Sequence, residues 1–106
     1  MNNKLKVMIS QPMSSKTNEQ IRREREELVK RLEKDNFEVV DTVLSESAPK
    51  GCNEAIYYLA KSIEFLSKVD IVYFMKGWEQ ARGCKIENKI CQDYGKQTMY
   101  RIYEED

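Results

Sequence analysis

Val69-Asp70-Ile71-Val72-Tyr73-Phe74-Met75 is the stretch that decides the fold. Apart from Asp70 it is apolar or aromatic throughout and rich in strand-forming residues. A strand with one wet face alternates apolar and polar residues. An unbroken apolar run belongs to a strand covered on both faces, as in a parallel sheet flanked by helices. The flanking segments fit that reading. On the N-terminal side, Ile56, Leu59, Ala60, Ile63 and Leu66 recur at helical spacing, and Asn53 is placed to cap that helix. On the C-terminal side, Lys76-Gly77-Trp78 reads as a turn. A third helix is predicted over residues 82–94, stopping at Gly95, and a last strand over residues 97–102. Glu104-Glu105-Asp106 reads as a solvated tail.

The first half completes the alternation. Leu5-Lys6-Val7-Met8-Ile9 is a short strand ended by Ser10-Gln11-Pro12, because proline removes a ladder donor. Thr17 with Gln20 three residues on is a capping-box pattern. It opens a helix over residues 18–35 whose stripe is Ile21, Leu28, Val29 and Leu32. Arg25 interrupts that stripe and is expected to snorkel, while the charged face carries (i, i+4) pairs. Phe37-Glu38-Val39-Val40-Asp41 is a second strand and residues 42–53 a loop. Strand–helix alternation throughout predicts an α/β domain, a four-stranded parallel sheet with right-handed crossovers and order 2-1-3-4. Ligands bind such sheets beyond the carboxyl ends of the strands, where the order reverses. This directs attention to residues 10–15, 41–47 and 76–83.

Length and charge narrow the function. The 106 residues fit one domain, 1–106. Eighteen basic residues balance eighteen acidic ones, which argues against a nucleic acid polymer or an anionic membrane as partner. No apolar run approaches the roughly 18 residues of a membrane span, and residues 1–6 do not read as a signal peptide. The absence of histidine excludes Ser–His–Asp and Cys–His mechanisms and most catalytic zinc sites. Cys52, Cys84 and Cys91 are odd in number and lack a CxxC spacing, so reduced thiols in a cytoplasm are expected. Neither a metal nor a cofactor is expected.

The third helix holds the candidate chemistry. Cys84, Glu87, Cys91 and Tyr94 share one helix face, which puts Glu87 at the inward stripe. Carboxylates are seldom fully buried there unless paired. The positive end of the helix dipole favours the ionised form by about 0.3–1 kcal/mol. Gly83 lets a ligand approach the backbone closely. An ionised, partly desolvated carboxylate facing a cleft is what a carboxylate nucleophile requires. The competing reading makes Glu87 an ordinary helix glutamate paired with Lys or Arg.

Other residues carry paired readings too. Ser14-Ser15-Lys16-Thr17 either holds a phosphate or simply caps the helix. Trp78 either stacks on a ligand or packs at the rim. Arg82 either contacts a ligand or pairs with Glu79. Asp70 reads as structural, capping N–H groups of the preceding turn. Cys84 and Cys91 read as core fillers, with a lowered pKa of Cys84 near the dipole as the alternative.

Lys6-Val7-Met8-Ile9-Ser10-Gln11-Pro12-Met13 resembles the opening of the nucleoside 2-deoxyribosyltransferase-like proteins. The run from Asp70 through Gly77-Trp78-Glu79-Gln80-Ala81-Arg82-Gly83-Cys84-Lys85-Ile86-Glu87 is similar to a small, DUF4406-like branch of that group. The resemblance implies a Rossmann-like or flavodoxin-like three-layer sandwich with a site at the strand ends. It implies that Glu87 matches a nucleophilic glutamate which attacks C1′ of a deoxynucleoside and expels the base. The substrate-binding residues that follow are Ser10, Gln11, Pro12, Met13, Asp41, Gly77, Trp78, Arg82 and Gly83. This sequence departs from the family pattern at three places. The family's first-strand tyrosine falls on Met8, its glycine on Gln11, and its acidic residue after the third strand has no match at Met75 or Lys76. Transferase, N-glycosidic hydrolase and non-catalytic nucleotide binder therefore stay open. The family builds its sites at subunit contacts. With Tyr57 and Tyr58 beside the second helix's stripe, this leads to an expected homodimer or higher oligomer, to which residues 100–103 contribute.

Overall fold

The computed structural model describes residues 4–42 and 47–104. Within these, strand β1 (Lys6–Ser10) leads to helix α1 (Asn18–Lys34) and strand β2 (Glu38–Val39). Helix α2 (Glu54–Leu66), strand β3 (Ile71–Phe74), helix α3 (Arg82–Tyr94) and strand β4 (Gln97–Tyr100) follow. The sheet is parallel throughout, in the order β2-β1-β3-β4. β1 pairs with β3 from Val7 against Ile71 to Ser10 against Phe74.

Local chemistry sets the element ends. Thr17 Oγ1 accepts the Gln20 N–H at 3.1 Å and starts α1. Asn53 does the same for Ile56 and starts α2. Gly95, at φ 70°, closes α3 in the left-handed conformation that glycine adopts freely. Arg23–Glu19 and Arg31–Glu27 run along the wet face of α1 as (i, i+4) pairs. Of residues 14–17, Thr17 serves the helix start as its cap, and Lys16 pairs with Glu24 at 2.9 Å.

Two cores sandwich the sheet. Val7, Ile9, Ile71, Tyr73 and Met75 pack with Leu28 and Leu32 on the α1 side. Met8, Val72 and Phe74 pack with Leu66, Val69 and Cys91 on the side of α2 and α3. β3 is buried along its whole length, as its sequence requires.

Four expectations need correction. β2 spans only Glu38–Val39, with Asp41 exposed beyond it. A short 3-10 turn, Trp78–Gln80, precedes α3 and starts from Gly77 at φ 91°. Asp70 caps no preceding turn: its Oδ2 accepts the Lys6 N–H of β1 at 2.8 Å. Glu104 is not a solvated tail residue. Its carboxylate accepts the Lys76 N–H at 3.1 Å and the Tyr73 hydroxyl at 3.1 Å. Tyr103 donates its N–H to the Tyr73 hydroxyl, Arg31 donates to the Tyr103 carbonyl at 2.7 Å, and the Tyr103 hydroxyl donates to Asp35. Residues 101–104 thus form a strap that docks on α1 of the same chain. Glu105 and Asp106 lie outside the described residues, as does the part of the loop at 43–46. Among the described residues, no helix is long and apolar enough to cross a membrane.

Candidate functional site

β1 ends at Ser10, whose parity on the strand turns its side chain toward α3. There its hydroxyl donates to Glu87 Oε1 at 2.6 Å. Glu87, in the second turn of α3, is only 4 % exposed. Ser62 of α2 supplies a further hydrogen bond to the carboxylate. Three elements therefore converge on one carboxyl group.

The electrostatics differ from the dipole argument. Burial pushes the Glu87 pKa above its ordinary value, while the hydrogen bonds from Ser10 and Ser62 pull the other way without cancelling it. The same burial pushes the Cys84 thiol up. The alternative of an activated, low-pKa cysteine is thereby corrected. Cys91, buried in the α3 side of the core, is pushed up to about 11.

A cleft of about 430 Å³ opens above Glu87, within the range of small-molecule pockets. Ser10, Gln11, Met13, Gly83 and Glu87 of the sequence candidates line it. α2 provides an opposite wall of Ala55, Tyr58, Leu59 and Ser62, and Arg25 of α1 reaches it from a third side. Gln11 donates from Nε2 to the Ile21 carbonyl at 2.8 Å.

The remaining candidates lie elsewhere. Asp41 is exposed outside the cleft lining and faces Arg25 of the cleft wall at 3.8 Å. Pro12 is buried, and its Cγ lies 3.7 Å from where a Cβ on Gly77 would sit. That distance is an ordinary contact, so it is the positive φ of 91° that explains Gly77 structurally. Trp78 does not cover Glu87. Its ring packs against Phe74 and Tyr100, at centroid distances of 5.4 and 5.6 Å. Arg82 is exposed at the start of α3, outside the cleft lining. Glu104 brings an acid to the end of β3, but on the α1 side, among Lys16, Glu24, Glu27 and Lys76.

Ser62 and Arg25 were absent from the sequence candidates. Each had a signal: a polar residue on the inward side of an otherwise apolar helix stripe. Among the described residues, no group of three or more His, Cys, Asp or Glu side chains is placed to hold a metal ion. No curated protein matches the chain. Residues 5–100, which hold all four strands and the Ser10–Glu87 pair, match the family described as "Domain of unknown function (DUF4406)", and the chain belongs to that family.

Proposed function

We propose that the cleft binds a nucleoside or nucleotide and that Glu87 acts on its N-glycosidic bond. The observation that carries this reading is a carboxyl group 4 % exposed on the floor of a cleft, held at 2.6 Å by the Ser10 hydroxyl. A carboxylate nucleophile needs a fixed direction of attack and little competing water. Ser10 and Ser62 supply the first and burial the second. The apolar wall of Ala55, Tyr58 and Leu59 suits the face of a base. The likeness of the Ser10 and Glu87 segments to nucleoside 2-deoxyribosyltransferase-like proteins supports the substrate class.

In the proposed step, a Glu87 oxygen bonds to C1′ as the C1′–N bond breaks. The bonding pair leaves with the base, which takes a proton from solvent. Water then attacks C1′, loses a proton and frees the carboxylate, so configuration is retained. A second base in place of water makes the reaction a transfer.

One observation favours a second reading. The raised Glu87 pKa enlarges the protonated fraction, and a protonated carboxyl donates a hydrogen bond but does not attack. On that reading the domain is a non-catalytic nucleotide-binding or sensing module.

The test is free-base release across a panel of nucleosides and 5′-nucleotides. Glu87→Gln is expected to abolish release by at least roughly 10³-fold, with ligand affinity within about tenfold, because attack is a transition-state interaction. Saturable binding with no release selects the sensing module. Release unchanged in the variant removes Glu87 from the mechanism.

Two further parts of the proposal concern setting. The free thiols at Cys52, Cys84 and Cys91 fit a reducing cytoplasm. The exposed apolar side chains of α2 fit a homodimer or higher oligomer.

A further inference from the structure

We infer that Arg25 forms an anion subsite in the α1 wall of the Glu87 cleft, so that the ligand carries a phosphate or carboxylate group. Arg25 lines the cleft, and its side chain is only 13 % exposed. Its acidic neighbour, Asp41, stands 3.8 Å away and is 80 % exposed. A guanidinium–carboxylate pair that forms hydrogen bonds closes to about 2.7–2.9 Å. The Arg25 charge is therefore compensated at a distance, by a group that water screens. The guanidinium carries five N–H donors, and none of them hydrogen-bonds to a described residue. A desolvated cation with open donors is costly in an empty protein. Burial lowers its pKa, yet an arginine stays positive at any pH the fold tolerates.

A second observation lies on the same wall. Gln11 is 8 % exposed and also lines the cleft. Its Nε2 is committed to the Ile21 carbonyl, which fixes the amide orientation. Its Oε1 is buried and, among the described residues, is the side-chain atom left with no hydrogen-bond partner. Ile21 and Arg25 are one helical turn apart, on one face of α1. This wall thus presents open donors on a cation, with the unpartnered Gln11 Oε1 buried in the same wall. A ligand with an anionic group satisfies the cation, whereas a neutral nucleoside leaves it unmatched. The anion subsite rests on the preceding reading only for the rest of the ligand, which becomes a phosphorylated or carboxylated N-glycoside.

The first experiment titrates the full chain with inorganic phosphate and, separately, acetate at constant ionic strength. The Arg25 Nε–H and Gly83 amide signals are followed by NMR. Saturable shifts with either anion are expected, weakened at least tenfold in Arg25→Gln. Arg25→Lys, which keeps charge and stem, is expected to retain part of the affinity and covers the case in which the glutamine variant does not fold. Saturation by phosphate alone or by acetate alone identifies the group. Saturation by neither anion, or shifts that persist in Arg25→Gln, overturns the subsite.

The second experiment compares the Kd of a nucleoside with that of its 5′-phosphate. The phosphorylated form is expected to bind at least tenfold more tightly. Arg25→Gln should bring that ratio to about one. Phosphate bound at Arg25 with no base released from any nucleoside or nucleotide supports the subsite and overturns the glycosidic reading. Base release with no preference for the charged form does the reverse.

Discussion

Glu87 carries a conflict between stability and the chemistry proposed for it. Its pKa is raised in the folded chain by burial, from an ordinary value of 4.5. The neutral form is therefore the one folding prefers. The stabilising contribution of this group is fully present below its unfolded pKa and is lost as pH rises through the raised folded value. At neutral pH the wild type bears that cost, and Glu87→Gln does not. Glu87→Gln should therefore be more stable than the wild type at pH 7, by roughly 0.5–2 kcal/mol, the usual yield from relieving a destabilised site. The difference should shrink as pH falls from the raised folded value toward about 4.3, the unfolded glutamate value, and be gone below it. Thermal melts across that range check the sign, and a variant less stable at pH 7 would contradict it. The inward placement of Glu87 was legible in the spacing with Cys84 and Cys91. The direction of its pKa was not, because the depth of burial depends on α2 and β1, which lie far away in sequence.

At the scale of elements, patterns of local origin read well. β1, α1, β3 and α3 follow from apolar runs, helical stripes and end residues such as Thr17 and Gly95. What escaped were contacts made across the chain. The Asp70 carboxylate reaches Lys6 on the neighbouring strand, and Glu104 reaches back to β3, and no local pattern announces either. Trp78 shows the same limit: it follows the strand as expected, yet Tyr100 of β4 draws it away from the cleft. The strap offers a test of such contacts. The Tyr73 hydroxyl donates to Glu104 and accepts from the Tyr103 N–H, while the ring is fully buried. Tyr73→Phe keeps the ring packing and strips both bonds. A loss of about 1–3 kcal/mol is expected from the partners left unsatisfied, read from urea unfolding. A variant as stable as the wild type would mean that these two bonds contribute nothing to the fold.

The whole molecule leaves one helix poorly covered. Of α2, only Leu66 is buried, while Ile56 is 65 % exposed and Tyr58 37 % exposed. Tyr58 also lines the cleft, so that surface and the Glu87 site are continuous. A self-association through α2 is expected, burying on the order of 1,200 Å² or more in total. Sedimentation in reducing buffer should show a dimer or larger species at tens of micromolar, and Ile56→Glu should return it to 12.5 kDa. A wild type that sediments only as the 12.5 kDa species contradicts the expectation.

The order β2-β1-β3-β4 also bears on how the chain is made. During synthesis β1 emerges first, and β2, its first available neighbour, pairs with it over just two residues. The four-residue pairing with β3 must wait for residues 71–74 to leave the ribosome. Until then Val7 and Ile9 have only α1 packed against them and Met8 lacks its β3 and α3 neighbours, and pairings so distant in sequence form slowly. A nascent chain stalled before residue 69 should therefore be protease-sensitive and prone to aggregate, while one stalled with residue 100 outside the tunnel should resist digestion. Pulse proteolysis of ribosome-bound chains of increasing length would locate the step. Protection that appears before β3 is available would assign the early fold to α1 and β2 instead.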